Sequence, residues 1–95
     1  MKKGYWVVRA NISDIDEYSK YIELASEVIQ QYNGKFIVRG GPQIEFEKDG
    51  FERTVVVEFE SHQQAIKCYE SNGYQSALDY VKDSAVRYVS VVEGY

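Results

Sequence analysis

Residues 4–12, GYWVVRANI, place apolar side chains on both faces of an extended chain. Tyr5, Val7 and Arg9 share one face; Trp6, Val8 and Ala10 share the other. Such a strand needs cover on both sides, so it belongs in the middle of a sheet with something packed above and below it. The following residues supply half of that cover. Ser13 or Asp14 offers an oxygen to cap a helix, and Ile15, Tyr18, Ile22, Ala25, Ile29 and Tyr32 then recur at steps of three and four. Asn33-Gly34 provides the stop, because both residues tolerate the left-handed conformation of a helix end.

KFIVRG is expected to form a second strand. Beyond Gly40, Gly41 and Pro42, QIEFE alternates again, Ile44 and Phe46 against Glu45 and Glu47. KDG reads as a hairpin turn leading into a returning strand, ERTVVVEFE. Ser61 with Gln64 three residues later fits a capping box for a second helix through Ala65, Ile66, Cys68 and Tyr69. SNG at 71–73 interrupts it before a shorter segment carrying Tyr74, Ala77, Leu78 and Val81, and VRYVSVVEG closes the chain as a strand. The order β-α-β-β-α-β, with no linker or repeat, predicts one α+β domain over 1–95. Its arrangement is ferredoxin-like, an antiparallel sheet with two helices on one face. The other face is then apolar and uncovered. A second copy of the sheet, related by a two-fold axis, covers it most economically, so a homodimer is expected. At 95 residues the core is small enough for that association to add useful stability.

Composition excludes several function classes. A net charge of -4, with 11 basic residues scattered among 15 acids, is the wrong balance for a phosphate backbone, so no nucleic-acid partner is expected. The apolar start of the chain is cut by Arg9, and no run is long enough to span a bilayer, which predicts a cytoplasmic protein without a membrane partner. The single cysteine, Cys68, allows no intrachain disulfide and no cysteine metal site. Lys67 beside it could activate an exposed thiol, but its neighbours point to burial. His62, the one histidine, has no second ligand at metal-binding spacing, and no metal or cofactor is expected. No serine sits in a nucleophile elbow.

The motifs GYWVVRANISD, the Tyr18–Tyr21 pair in DEYSKY, GKFIVRGG, RTVVVEF, CYESNGYQSAL and the terminal VVEG occur together and in order. In this the chain resembles, over nearly its whole length, the small bacterial family known as domain of unknown function 1330. The resemblance implies membership of the dimeric α/β-barrel superfamily, with a ferredoxin-like subunit and two sheets facing each other. It implies no reaction; other branches of that superfamily include cofactor-free monooxygenases, lactone isomerases and haem-dependent enzymes. The chain departs from the family pattern at SNGY, where a proline would precede the tyrosine, and Gly73 is expected to loosen that turn.

RGGP invites a phosphate-loop reading, but such a loop needs a helix N-terminus after it, and here an alternating segment follows. A bulge or kink explains the glycines instead. The candidate site is a constellation. Arg9 shares a face with Tyr5 and Val7, Arg39 with Ile37, and Arg53 with Val55, Val57 and Phe59. A guanidinium on an apolar face is costly unless paired. It is either neutralised by Glu58, Glu93 or a hairpin acid, or extended to the sheet edge, or it orients a small anion in a pocket. In the last case Trp6, Tyr18, Tyr69 and Tyr74 would supply aromatic walls and polar groups. Two readings follow: a small-molecule site, which could be that of a cofactor-independent enzyme, or a structural dimer with a filled core and paired arginines. An enclosed pocket holding an arginine without a carboxylate partner separates the first from the second.

Overall fold

The computed structural model describes residues 1–95. Its elements are β1 (Gly4–Ile12), α1 (Ile15–Gln31), β2 (Lys35–Arg39), β3 (Arg53–Phe59), α2 (His62–Glu70), α3 (Asn72–Ala77), a 3-10 turn at Leu78–Tyr80 and β4 (Ala85–Glu93). The strands form one antiparallel sheet in the order β2-β3-β1-β4. β3 lies between β1 and β2, so the first β-α-β unit is split, as in a ferredoxin-like fold.

Local chemistry sets the helix ends. The Asp14 carboxylate accepts from the Glu17 N–H at 3.1 Å. At the other end Asn33 adopts φ 59°, the Gly34 N–H reaches the Ile29 carbonyl at 2.9 Å, and the Asn33 N–H reaches that of Gln30 at 3.0 Å. That pairing satisfies carbonyls the helix leaves open. Ser61 caps α2 through the Gln64 N–H at 3.0 Å, but only half of the expected box forms, because the Gln64 side chain turns to the Tyr32 carbonyl. Gly73 lies inside α3 rather than in a loosened turn, and Ser71 caps that helix through the Tyr74 N–H.

Trp6, Val8, Val57 and Phe59 form the sheet side of the core. Facing them are Tyr18, Tyr21, Ala25 and Ile29 of α1, Ala65 and Cys68 of α2, and Tyr74 and Ala77 of α3. The helical stripe is therefore rotated from the expected one: Tyr21 is buried and Ile15 is exposed. The opposite sheet face carries Val86, Tyr88 and Val92, all exposed. No helix is long and apolar enough to cross a membrane.

The expected strand at QIEFE does not form. β2 ends at Arg39, and 40–52 is irregular. Side chains there take the bonds a ladder would have made. Glu45 accepts the N–H groups of Gly50 and Phe51 at 2.9 and 3.1 Å, and Gln43 bridges Thr54 and the Phe51 carbonyl. Glu47 sits at φ 70°, a left-handed conformation no strand contains. Ile44 and Phe46 consequently project outward, 79% and 80% exposed.

Candidate functional site

Between the sheet and α1 lies a partly open cavity of about 40 Å³. At about 10–15 Å³ for each water-sized group, it admits roughly three such groups, the size of a carboxylate. Its floor is Trp6, Val8, Val55 and Val57, its roof Tyr18, Tyr21, Ile22 and Ile29, and its polar members are Ser26, Arg39, Arg53 and Arg87. No carboxylate and no histidine lines it.

Strand register explains why arginines meet here. Ala10 on β1 lies opposite Arg53 on β3 and opposite Arg87 on β4. The two arginines therefore flank a methyl group in one row across the sheet, with Cα atoms about 10 Å apart from the usual strand spacing. Arg39 joins them through a β-bulge between Phe36 and Val38, which brings it opposite Val55. The simple alternation that pairs Arg39 with Ile37 is thereby broken, since the extra residue shifts every later side chain to the other face.

None of the three has a carboxylate within salt-bridge distance; the chain's two ion pairs are Arg9–Glu45 and Lys20–Glu17. Arg39 is exposed, donates to the Ser26 hydroxyl at 3.0 Å and lies 3.9 Å over the Phe36 ring. The Arg53 head packs against Gly40, whose φ is 69°, and its buried Nε has no acceptor. Arg87 donates to the Tyr21 hydroxyl at 2.9 Å and to the Tyr74 hydroxyl at 3.1 Å, and those two hydroxyls are 2.7 Å apart. Burial raises the pKa of both phenols, although the Arg87 charge opposes it, so both are neutral at ordinary pH. The guanidinium charges that line this one cavity repel one another. The protein offers no anion of its own to offset that.

The sequence-derived candidates divide. Trp6, Tyr18, Arg39 and Arg53 line the cavity. Tyr74 stands behind Tyr21 and 4.7 Å from the Trp6 ring; Tyr69 packs on both, at 5.0 Å from Tyr74 and 5.7 Å from Trp6, and supports the wall without lining it. The Trp6 N–H is spent on the Ala65 carbonyl at 2.9 Å, which leaves its indole as a wall only. Arg9 is elsewhere. It points from the opposite sheet face, pairs with Glu45 and lies over the Phe51 ring, which is the neutralisation by a hairpin acid that the sequence left open. Cys68 is fully buried, and burial pushes its thiol up to about 12.

Two residues of the site, Tyr21 and Arg87, were not among those candidates. Arg87 is two and four residues from Val89 and Val91, so it is an arginine on the apolar face of β4, the signal that singled out Arg53. Tyr21 precedes Ala25 and Ile29 by four and eight, on the inner stripe of α1.

A protein of unknown function from Rhodopseudomonas palustris has the same fold with a TM-score of 0.80 at 9% identity, over 99% of this chain and 83% of that one. SnoaB, a cofactor-independent oxygenase from Streptomyces nogalater, aligns with a TM-score of 0.66 at 10% identity, over 100% and 95%. A dimeric ferredoxin-like protein of unknown function from Thermobifida fusca gives 0.61 at 12% identity, over 97% and 91%. At these identities the likeness shows the fold alone. No curated protein matches the chain. The family model for the domain of unknown function DUF1330 matches residues 3–95, and the chain belongs to that family.

Proposed function

We propose that this protein is a homodimer that binds a small molecule carrying an anionic or strongly polar oxygen, held in the cavity between the sheet and α1. One observation carries the reading: Arg39, Arg53 and Arg87 surround a single cavity and none has a carboxylate partner. A purely structural core gains little from such groups, because even a half-buried guanidinium such as Arg53 or Arg87 gives up part of its hydration without a carboxylate to replace it. Arg39 is screened by solvent and contributes least. The cavity matches the oxygen-bearing end of a ligand, the remainder leaving by the open side.

Binding is better supported than proton abstraction. With no histidine or carboxylate in the wall, a base would have to be a tyrosinate, and burial disfavours one at both Tyr21 and Tyr74. The same groups would stabilise oxyanion charge developing on a carbonyl substrate, and a substrate that supplies its own base would make the site a cofactor-independent enzyme. The fold shared with the Streptomyces nogalater oxygenase is compatible with that extension.

Thermal unfolding with small carboxylates and phenols tests the reading. We expect at least one compound to raise the melting temperature of the wild type. Arg53→Met should leave the unliganded protein as stable or about 1 kcal/mol more stable, since it removes a buried donor with no acceptor, and should abolish the ligand-induced shift. If no compound shifts the wild type and Arg53→Met alters stability alone, the binding reading is wrong.

A further inference from the structure

The hydrogen-bond balance at the Arg87 cluster constrains the ligand further, on the footing of the binding reading above. Arg87 only donates, so each of the Tyr21 and Tyr74 oxygens accepts one N–H from it. The two hydroxyls carry one proton each. One of these occupies the 2.7 Å bond between the oxygens; the other has no acceptor among the protein's groups. Tyr74 is 0% exposed and does not line the cavity, whereas Tyr21 is 7% exposed and does. The arrangement that satisfies both is Tyr74 donating to Tyr21, and Tyr21 directing its own proton into the cavity. An unspent donor on a nine-tenths-buried side chain calls for an acceptor from outside the protein.

We infer that the Tyr21 hydroxyl is the group that directly hydrogen-bonds the ligand's anionic oxygen, and that Tyr74 and Arg87 are positioning residues that orient and polarise it. The chain of donation runs from Arg87 and Tyr74 to Tyr21 and then to the ligand, so each bond strengthens the next. Arg53, across Ala10 in the same row, supplies charge from the other side. The ligand class is an oxygen-centred monoanion that presents one oxygen to Tyr21. A carboxylate and an aryl or enol oxide share that chemistry. A cationic or wholly apolar ligand is disfavoured, because it would leave both Tyr21 and Arg53 without acceptors.

Acetate and 4-nitrophenol serve as probes of the two sources, titrated into the purified full-length wild type, Tyr21→Phe and Tyr74→Phe. Acetate binding is read by calorimetry and 4-nitrophenol binding by the absorbance of its anion. The wild type should bind at least one probe, and if it binds 4-nitrophenol it should hold it ionised to lower pH than in free solution. Tyr21→Phe should weaken binding roughly ten- to a hundredfold, the range for a hydrogen bond to a charged group, and return the ionisation of 4-nitrophenol toward its free value. Tyr74→Phe keeps the ligand's donor and removes only its support, so it should lose less than about tenfold. Binding of acetate alone assigns a carboxylate, and of 4-nitrophenol alone an aryl or enol oxide; either supports the inference. Binding by Tyr21→Phe equal to the wild type, while Arg53→Met fails to bind, overturns the inference and leaves the site standing. A greater loss in Tyr74→Phe than in Tyr21→Phe also overturns it, because the free proton would then lie on the other oxygen. If the wild type binds neither probe, the site and the inference fall together. Melting temperature and near-ultraviolet circular dichroism establish that each variant is folded. Should Tyr21→Phe not fold, a full loss of binding in folded Tyr74→Phe overturns the inference and a partial one supports it.

Discussion

Gly40 shows how one residue at the end of a strand sets up chemistry on the neighbouring strand. Its φ of 69° ends β2 in a conformation that costs most side chains on the order of 1 kcal/mol, and a Cβ there would run into the Arg53 guanidinium. Gly41, next in the chain, has only open space where a methyl group would stand. Gly40→Ala should therefore destabilise the fold by about 1–3 kcal/mol and displace Arg53, weakening any anion bound in the cavity. Gly41→Ala should be nearly silent in both. Chemical denaturation of the pair separates them, and equal effects would mean that the Gly40–Arg53 contact is unimportant. The sequence legibly marks RGG as a kink and not a phosphate loop. What it cannot carry is the reason for the kink, because Arg53 reaches Gly40 only once β2 and β3 are paired.

Among the elements, 40–52 departs furthest from its own pattern. Its alternation of Ile44, Glu45, Phe46 and Glu47 has the period of a strand, yet Glu45 turns to the Arg9 guanidinium and the Gly50 and Phe51 N–H groups. Asn11 adds two further anchors, donating to the Gly50 carbonyl at 2.6 Å and accepting from the Glu52 N–H at 2.9 Å. Long-range polar partners thus outweigh local propensity. Glu45→Ala should release the segment: faster amide exchange at Gly50 and Phe51, and about 1–2 kcal/mol of lost stability, limited because the Arg9 side chain is 35% exposed. Anion binding at Arg53 and Arg87 should be unaffected, since Glu45 and its partner Arg9 belong to the opposite face of the sheet and the Gly40–Arg53 contact is left in place. Unchanged exchange at both amides would show that something other than Glu45 holds the loop. By contrast α1, α2 and the break at Ser71 follow from periodicity and caps, as Asp14, Ser61 and Asn33-Gly34 act on neighbours within five residues.

At the scale of the whole molecule the two sheet faces have different fates. One is covered by helices and holds the candidate site; the other exposes Val86, Tyr88 and Val92, with Ile44 and Phe46 standing out beside it. Apolar groups grouped in this way on a small domain are consistent with the homodimer proposed above, which would need about 800 Å² from each partner. Sedimentation at micromolar concentration should report a dimer, and Val86→Glu should weaken it at least tenfold by placing a charge in the contact. A wild type that stays monomeric at tens of micromolar would end that proposal.

The amino-acid sequence by itself determined the helices, the strands other than the one expected at QIEFE, their order and the need for cover on both faces of β1. Those properties reside in periodicity and caps that act within a few residues. It also marked Arg53 as an arginine on an apolar face. Only the tertiary structure decided which arginines share a cavity. Register places Arg53 and Arg87 on either side of Ala10, a bulge turns Arg39 to join them, and Glu45 draws Arg9 away. Each of these depends on the pairing of residues distant in the chain, and a one-residue shift in pairing would have reversed every assignment.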